Sequence, residues 1–80
     1  MLTRIDALIS NDKLRYIQTD FPGIRYKLSD MKTRIENGEH ITRAEAEYIG
    51  RAEKILSKVN PHYKKVIVNG QEAEVLFIYA

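Results

Sequence analysis

The 80-residue chain has no cysteine and no tryptophan. Without cysteine there can be no disulfide framework and no thiolate zinc site, and such a chain suits a reducing compartment. Two prolines and four glycines leave little material for a flexible linker, and neither a low-complexity tract nor an internal repeat divides the sequence into modules. No uninterrupted apolar run approaches the roughly 18 residues of a membrane-spanning helix. Arg4 and Asp6 fall where a secretory leader would need apolar residues, so the expected setting is the cytoplasm, away from any membrane. An excess of one charge is missing too. Thirteen Lys and Arg stand against eleven Asp and Glu, and a net charge of +2 is too mild to name a partner.

A chain this short holds one domain around one core, expected here to span 1–80. Such a core typically supplies only about 3 to 5 kcal/mol unless a disulfide, a metal or self-association helps.

What is present reads as an α+β domain: three or four short helices followed by a C-terminal antiparallel β-hairpin. Thr3 is placed to cap a first helix with Leu2, Ile5, Leu8 and Ile9 on one face. Asp12 and Lys13 break that phase, and Leu14, Ile17 and Phe21 begin a new stripe after the N-cap types Ser10, Asn11 and Asp12. Residues 3–20 are therefore expected as two short helices or one kinked helix. Phe21-Pro22-Gly23 stops the chain, and Ile24, Leu28, Met31 and Ile35 then recur at helical spacing up to Asn37-Gly38, giving a helix over 24–37. Thr42-Arg43-Ala44-Glu45 has capping-box spacing and opens a helix over 43–59. Its expected inward face is Tyr48, Ile49, Ala52, Ile55, Leu56 and Val59, and Asn60-Pro61 ends it.

Beyond Pro61 the period changes, and a hairpin is expected over 63–79. Asn69-Gly70 between β-rich runs signals a two-residue type I′ turn, because both turn positions need positive φ. That loop length pairs Val68 with Gln71, Val66 with Ala73 and Lys65 with Glu74. Val75-Leu76-Phe77-Ile78-Tyr79 is apolar at every position. A strand of that kind wants cover on both faces, which a hairpin lying on helices does not receive. Either helices or the chain end wrap it, or another molecule does, by strand addition at an open edge.

Catalytic chemistry is not legible. His40 and His62 lie in turn-like segments without a second ligand type at i, i+4 spacing, so metal binding is not expected. The sequence contains no nucleophile elbow, phosphate-binding loop, dinucleotide fingerprint or zincin motif. Glu45 with Glu47, and Glu72 with Glu74, read as a cap and solvated faces rather than as the buried carboxyls that acid–base catalysis uses. No cofactor is implied.

The surface carries more information. On a helical wheel Arg43, Glu47, Gly50, Arg51, Lys54 and Lys58 face outward, and no acid interrupts the chain from Lys54 to Gln71. Cations near a helix C-terminus favour its dipole, which accounts for part of this stripe without any partner. Gly50 is unusual, since an outward mid-helix glycine costs about 1 kcal/mol relative to alanine. Tyr26 points away from the apolar stripe of its own helix and is a candidate contact residue.

These features point to a small non-enzymatic module, a regulator, inhibitor or adaptor, that acts by protein–protein contact. Homodimerisation through the C-terminal strand is one form of that contact, with Phe77 and Tyr79 as its candidate residues. Three helices followed by a hairpin is also the element order of winged-helix DNA-binding domains. In that alternative Arg43, Arg51 and Lys54 would reach the nucleic acid. Against it stand Glu45, Glu47 and Glu53 on the same helix, and a hairpin tip without Lys or Arg.

Overall fold

The computed structural model describes residues 1–79. Helix α1 (Leu2–Ile9), a short 3₁₀ turn (Asp12–Tyr16), α2 (Ile24–Glu36) and α3 (Arg43–Leu56) precede two antiparallel strands, β1 (Val59–Val68) and β2 (Gln71–Tyr79). This is the α+β arrangement expected from the sequence.

The first segment divides as the broken apolar phase requires. Ser10 closes α1, Asn11 is extended, and its side chain accepts the Lys13 backbone N–H at 2.9 Å. The second piece is a 3₁₀ turn rather than an α-helix, which still buries Leu14 and Ile17 against the remaining helices. Thr3 does not cap α1; the cap position lies two residues earlier, at Met1, with no side-chain cap. Starting there brings Leu2 into the helix, where it is half-buried.

Both ends of the central connection behave as their residues dictate. After α2, Gly38 at φ +86° lets its own N–H reach the Ile35 carbonyl and the Glu39 N–H reach that of Arg34, so two terminal carbonyls are satisfied. At α3 the Thr42 hydroxyl accepts the Glu45 backbone N–H at 3.1 Å, and the Glu45 carboxylate accepts the Thr42 backbone N–H at 2.9 Å. The capping box is complete.

The helix over 43–59 is shorter than its apolar stripe. It ends at Leu56, where the Ser57 hydroxyl donates to the Lys54 carbonyl at 2.6 Å, and the chain turns into β1 at Val59. Pre-proline sterics push Asn60 toward extended backbone, so the helix must stop upstream of it. Asn60 and Pro61 then occupy an irregularity in the strand ladder between Val59 and His62, a position that tolerates proline's missing N–H. Val59 still enters the core, but from a strand.

The core is built from Ile5, Leu8, Leu14, Ile17, Ile24, Leu28, Met31, Ile49, Ala52, Leu56 and Val59. All but Val59 and Ile17, the residue that closes the 3₁₀ turn, come from the helical segments, and no polar or charged residue is buried among the described residues. Around this core Arg4 pairs with Glu53, Lys32 with Asp6, and Arg34 with both Asp30 and Glu45. Among the described residues no helix is long and apolar enough to cross a membrane.

The hairpin extends away from this helical body. Asn69 at φ +53° and Gly70 at φ +77° form the expected two-residue turn, and the ladder pairs Val68 with Gln71, Val66 with Ala73 and Lys65 with Glu74. The molecule measures 59 × 19 × 18 Å with a radius of gyration of 16.5 Å, against about 12 Å for a compact chain of this length.

Candidate functional site

Cross-strand partners in an antiparallel ladder share a face, so the register sorts the hairpin into two surfaces. One carries His62, Lys64, Val66 and Val68 from β1 with Gln71, Ala73, Val75 and Phe77 from β2. The other carries Tyr63, Lys65 and Ile67 with Glu72, Glu74 and Leu76. Apolar side chains occur on both, and helices wrap neither beyond the base. Ile67 is 76% exposed, Tyr63 68% and Val68 50%, while Val75, Leu76 and Phe77 each keep close to two-fifths of their surface in solvent. At the base, Val59 enters the helical core and Ile78 packs against it.

Some of this surface is organised within the hairpin. The rings of His62 and Phe77 stack at 5.8 Å with 20° between their planes, and the Lys64 ammonium lies 5.3 Å from the Phe77 centroid. His62 is thus a half-buried strand residue, its Nδ1 2.7 Å from the Asn60 carbonyl oxygen, and not the turn residue expected from its neighbours. His40 is exposed before the capping box. Tyr79 is 42% exposed and its hydroxyl donates to Asp20 at 3.3 Å, tying the hairpin base to the loop before α2. Phe77 and Tyr79 are therefore both accessible, with Tyr79 partly committed to the chain's own contact.

The outward residues of α3 form a separate surface. Arg43, Glu47, Arg51 and Lys54 are exposed, as is Lys58 beyond the helix end, and Gly50 is half-buried. Arg43 is held by Glu47 at 3.3 Å, one turn away. The two other acids on this helix are engaged from behind, Glu45 by Arg34 and Glu53 by Arg4. Both carboxyls are held below their ordinary range by those guanidinium contacts, Glu45 at about 2, with the Thr42 backbone N–H adding to the Arg34 effect. A β-carbon on Gly50 would meet nothing within 4 Å, so no neighbour in the chain requires glycine there.

Tyr26 is 80% exposed. Together with Lys27, Asp30, Tyr48 and Arg51 it lines a shallow groove of about 370 Å³ between α2 and α3. Tyr26 and Arg51, singled out separately by helical phase, are thus brought together, whereas the basic stripe and the hairpin faces remain distinct surfaces. Lys27 and Tyr48 are contributors the sequence did not flag. Tyr48 falls on the inward stripe, yet it is only half-buried, edge-on to Phe21 at 5.4 Å with Lys27 and Arg51 over its ring at 5.2 and 6.0 Å. Its hydroxyl is buried without a hydrogen-bond partner among the described residues, and burial pushes its pKa up.

No family model, curated protein or solved structure matches this chain.

Proposed function

We propose that the chain is a small non-enzymatic binding module of the cytoplasm, a regulator, inhibitor or adaptor whose contact surface is the projecting hairpin. The observation that carries this reading is the exposure of apolar side chains on both faces of that hairpin at once. Leaving them in water forgoes about 25 cal/mol for each Å² of apolar surface that a partner could cover. Isolated two-stranded hairpins are marginal in water, so a third surface against this one would stabilise it as well as bind it.

The test is affinity capture from host lysate with one arm treated with nuclease. Partners of the intact chain should survive nuclease and be lost in Phe77→Asp while the helical far-ultraviolet signal persists. An unchanged partner set in both Phe77→Asp and Tyr79→Asp would contradict the reading.

A second reading, nucleic-acid binding through α3, draws on one specific observation. Glu45 and Glu53 are engaged by arginines from other segments, which leaves Arg51, Lys54 and Lys58 as the net charge of the outer face. It requires duplex DNA affinity that falls steeply with salt and disappears in Arg51→Glu with Lys54→Glu. Salt-insensitive or absent binding at micromolar protein would remove it.

A further inference from the structure

The two strands of the hairpin differ at their open edges. Strand β1 carries Lys64 and Lys65 at mid-strand, and near its base the Val59 carbonyl accepts the Lys13 ammonium at 3.2 Å. Edge lysines are a common device against unwanted strand pairing. Strand β2 carries its two charges, Glu72 and Glu74, close to the turn, and from Val75 to Tyr79 it has none. Val68 and Gln71 close a two-residue turn, so they form a hydrogen-bonded pair, and pairs alternate from there along the ladder. The backbone groups of Glu74, Leu76 and Ile78 consequently point away from β1. Among the described residues they meet no backbone or side-chain partner outside the hairpin.

The exposed area expresses the same projection as a quantity. The chain exposes 5856 Å², whereas a compact protein of 9.3 kDa exposes about 5000 Å². The excess, about 850 Å², is spread over the whole projecting arm and is of the size that each partner contributes to a stable interface, roughly 800 Å².

We propose that the missing occupant is a second copy of this chain, joined along the outer edge of β2 into an antiparallel four-stranded sheet ordered β1-β2-β2-β1 about a two-fold axis near Leu76. The proposal rests on the hairpin being the contact surface and names what it contacts. Centring on Leu76 sets Val75 opposite Phe77 of the other copy and Glu74 opposite its Ile78. No like charges face each other, and the two lysines stay on the outer edges. The rival edge pairing, β1 of one copy on β2 of the next, would match lysine with glutamate. It is a head-to-tail contact, however, and grows into filaments instead of closing.

The absence of cysteine makes the test direct. Leu76→Cys should oxidise readily to a disulfide-linked dimer at low micromolar protein, because opposed residues of a hydrogen-bonded pair lie about 5.5 Å apart, within disulfide range. Tyr63→Cys, on the same face but on the guarded strand, should not. Sedimentation should show a dimer at tens of micromolar that Leu76→Lys converts to a monomer and Tyr63→Lys leaves intact. If Leu76→Lys fails to fold, the cysteine pair decides alone. Three results would overturn the proposal: a monomer throughout, a dimer broken by Tyr63→Lys and indifferent to Leu76→Lys, or growing filaments. A monomer that still loses captured protein in Phe77→Asp would overturn self-pairing alone, whereas a monomer indifferent to Phe77→Asp would remove the contact surface as well.

Discussion

The helical body buries its apolar residues, whereas the hairpin, the more apolar of the two by composition, leaves most of its own in solvent. In the body Ile24, Leu28 and Ile49 are wholly removed from solvent, and the charged rim is held by pairs such as Arg4 with Glu53. In the hairpin Ile67, Val68 and Leu76 remain in solvent, although their own ladder is regular to the tip. Apolar residues repeating at helical spacing are satisfied by the chain itself. Those on a long two-stranded arm have no second layer within 80 residues to receive them.

Core truncation gives the widest separation between the two regions. Leu28→Ala or Ile49→Ala should cost about 3 kcal/mol in denaturant unfolding, whereas Ile67→Thr in dilute solution should stay within about 0.5 kcal/mol of the parent. A comparable loss from Ile67→Thr would mean that the hairpin belongs to the core. Next in size is the turn. Gly70→Ala places a β-carbon in left-handed backbone, at a cost of about 1 to 2 kcal/mol, and amide exchange should register it in β1 and β2 while α2 keeps its protection. Uniform loss of protection would show that the two regions unfold as one.

Acid should act on the body through Glu45. Its folded pKa of about 2 lies below the usual 4.5, so its stabilising contribution is complete above the usual value and is lost as pH falls from about 4.5 toward 2. Glu45→Gln should flatten that part of the stability profile; an unchanged slope would assign acid sensitivity to other groups. The smallest effect is expected at Gly50. Gly50→Ala meets open space and should raise stability by up to about 1 kcal/mol, and if partner binding persists in that variant, close approach at this glycine plays no part.

Local chemistry was readable to the extent that it was self-contained. The Thr42–Glu45 box, the Asn37-Gly38 stop and the Asn69-Gly70 turn each lie within a few residues, and each forms as its residue types require. Where two local preferences competed, the sequence was ambiguous. The stripe through Val59 argues for continued helix, the pre-proline restriction on Asn60 argues against it, and burial of Val59 from a strand satisfies both. His62 read as a turn residue because Pro61 precedes it, while its stacking on Phe77 depends on pairing across the hairpin. The α2–α3 groove was hidden for a similar reason. Its Tyr48 sits on the apolar stripe of α3, and only the packing of α2 shows that the ring reaches the surface beside Tyr26.

The apolar run at 75–79 was visible as a demand for cover, and the geometry that leaves most of it uncovered was not. The most direct measurement is amide exchange at Leu76 and Ile78 followed over a hundredfold range of protein concentration. These outward N–H groups have no partner in a lone hairpin, so self-pairing requires their protection to rise with concentration while that of Leu28 and Ile49 stays constant. Fast exchange of Leu76 and Ile78 at every concentration would contradict it.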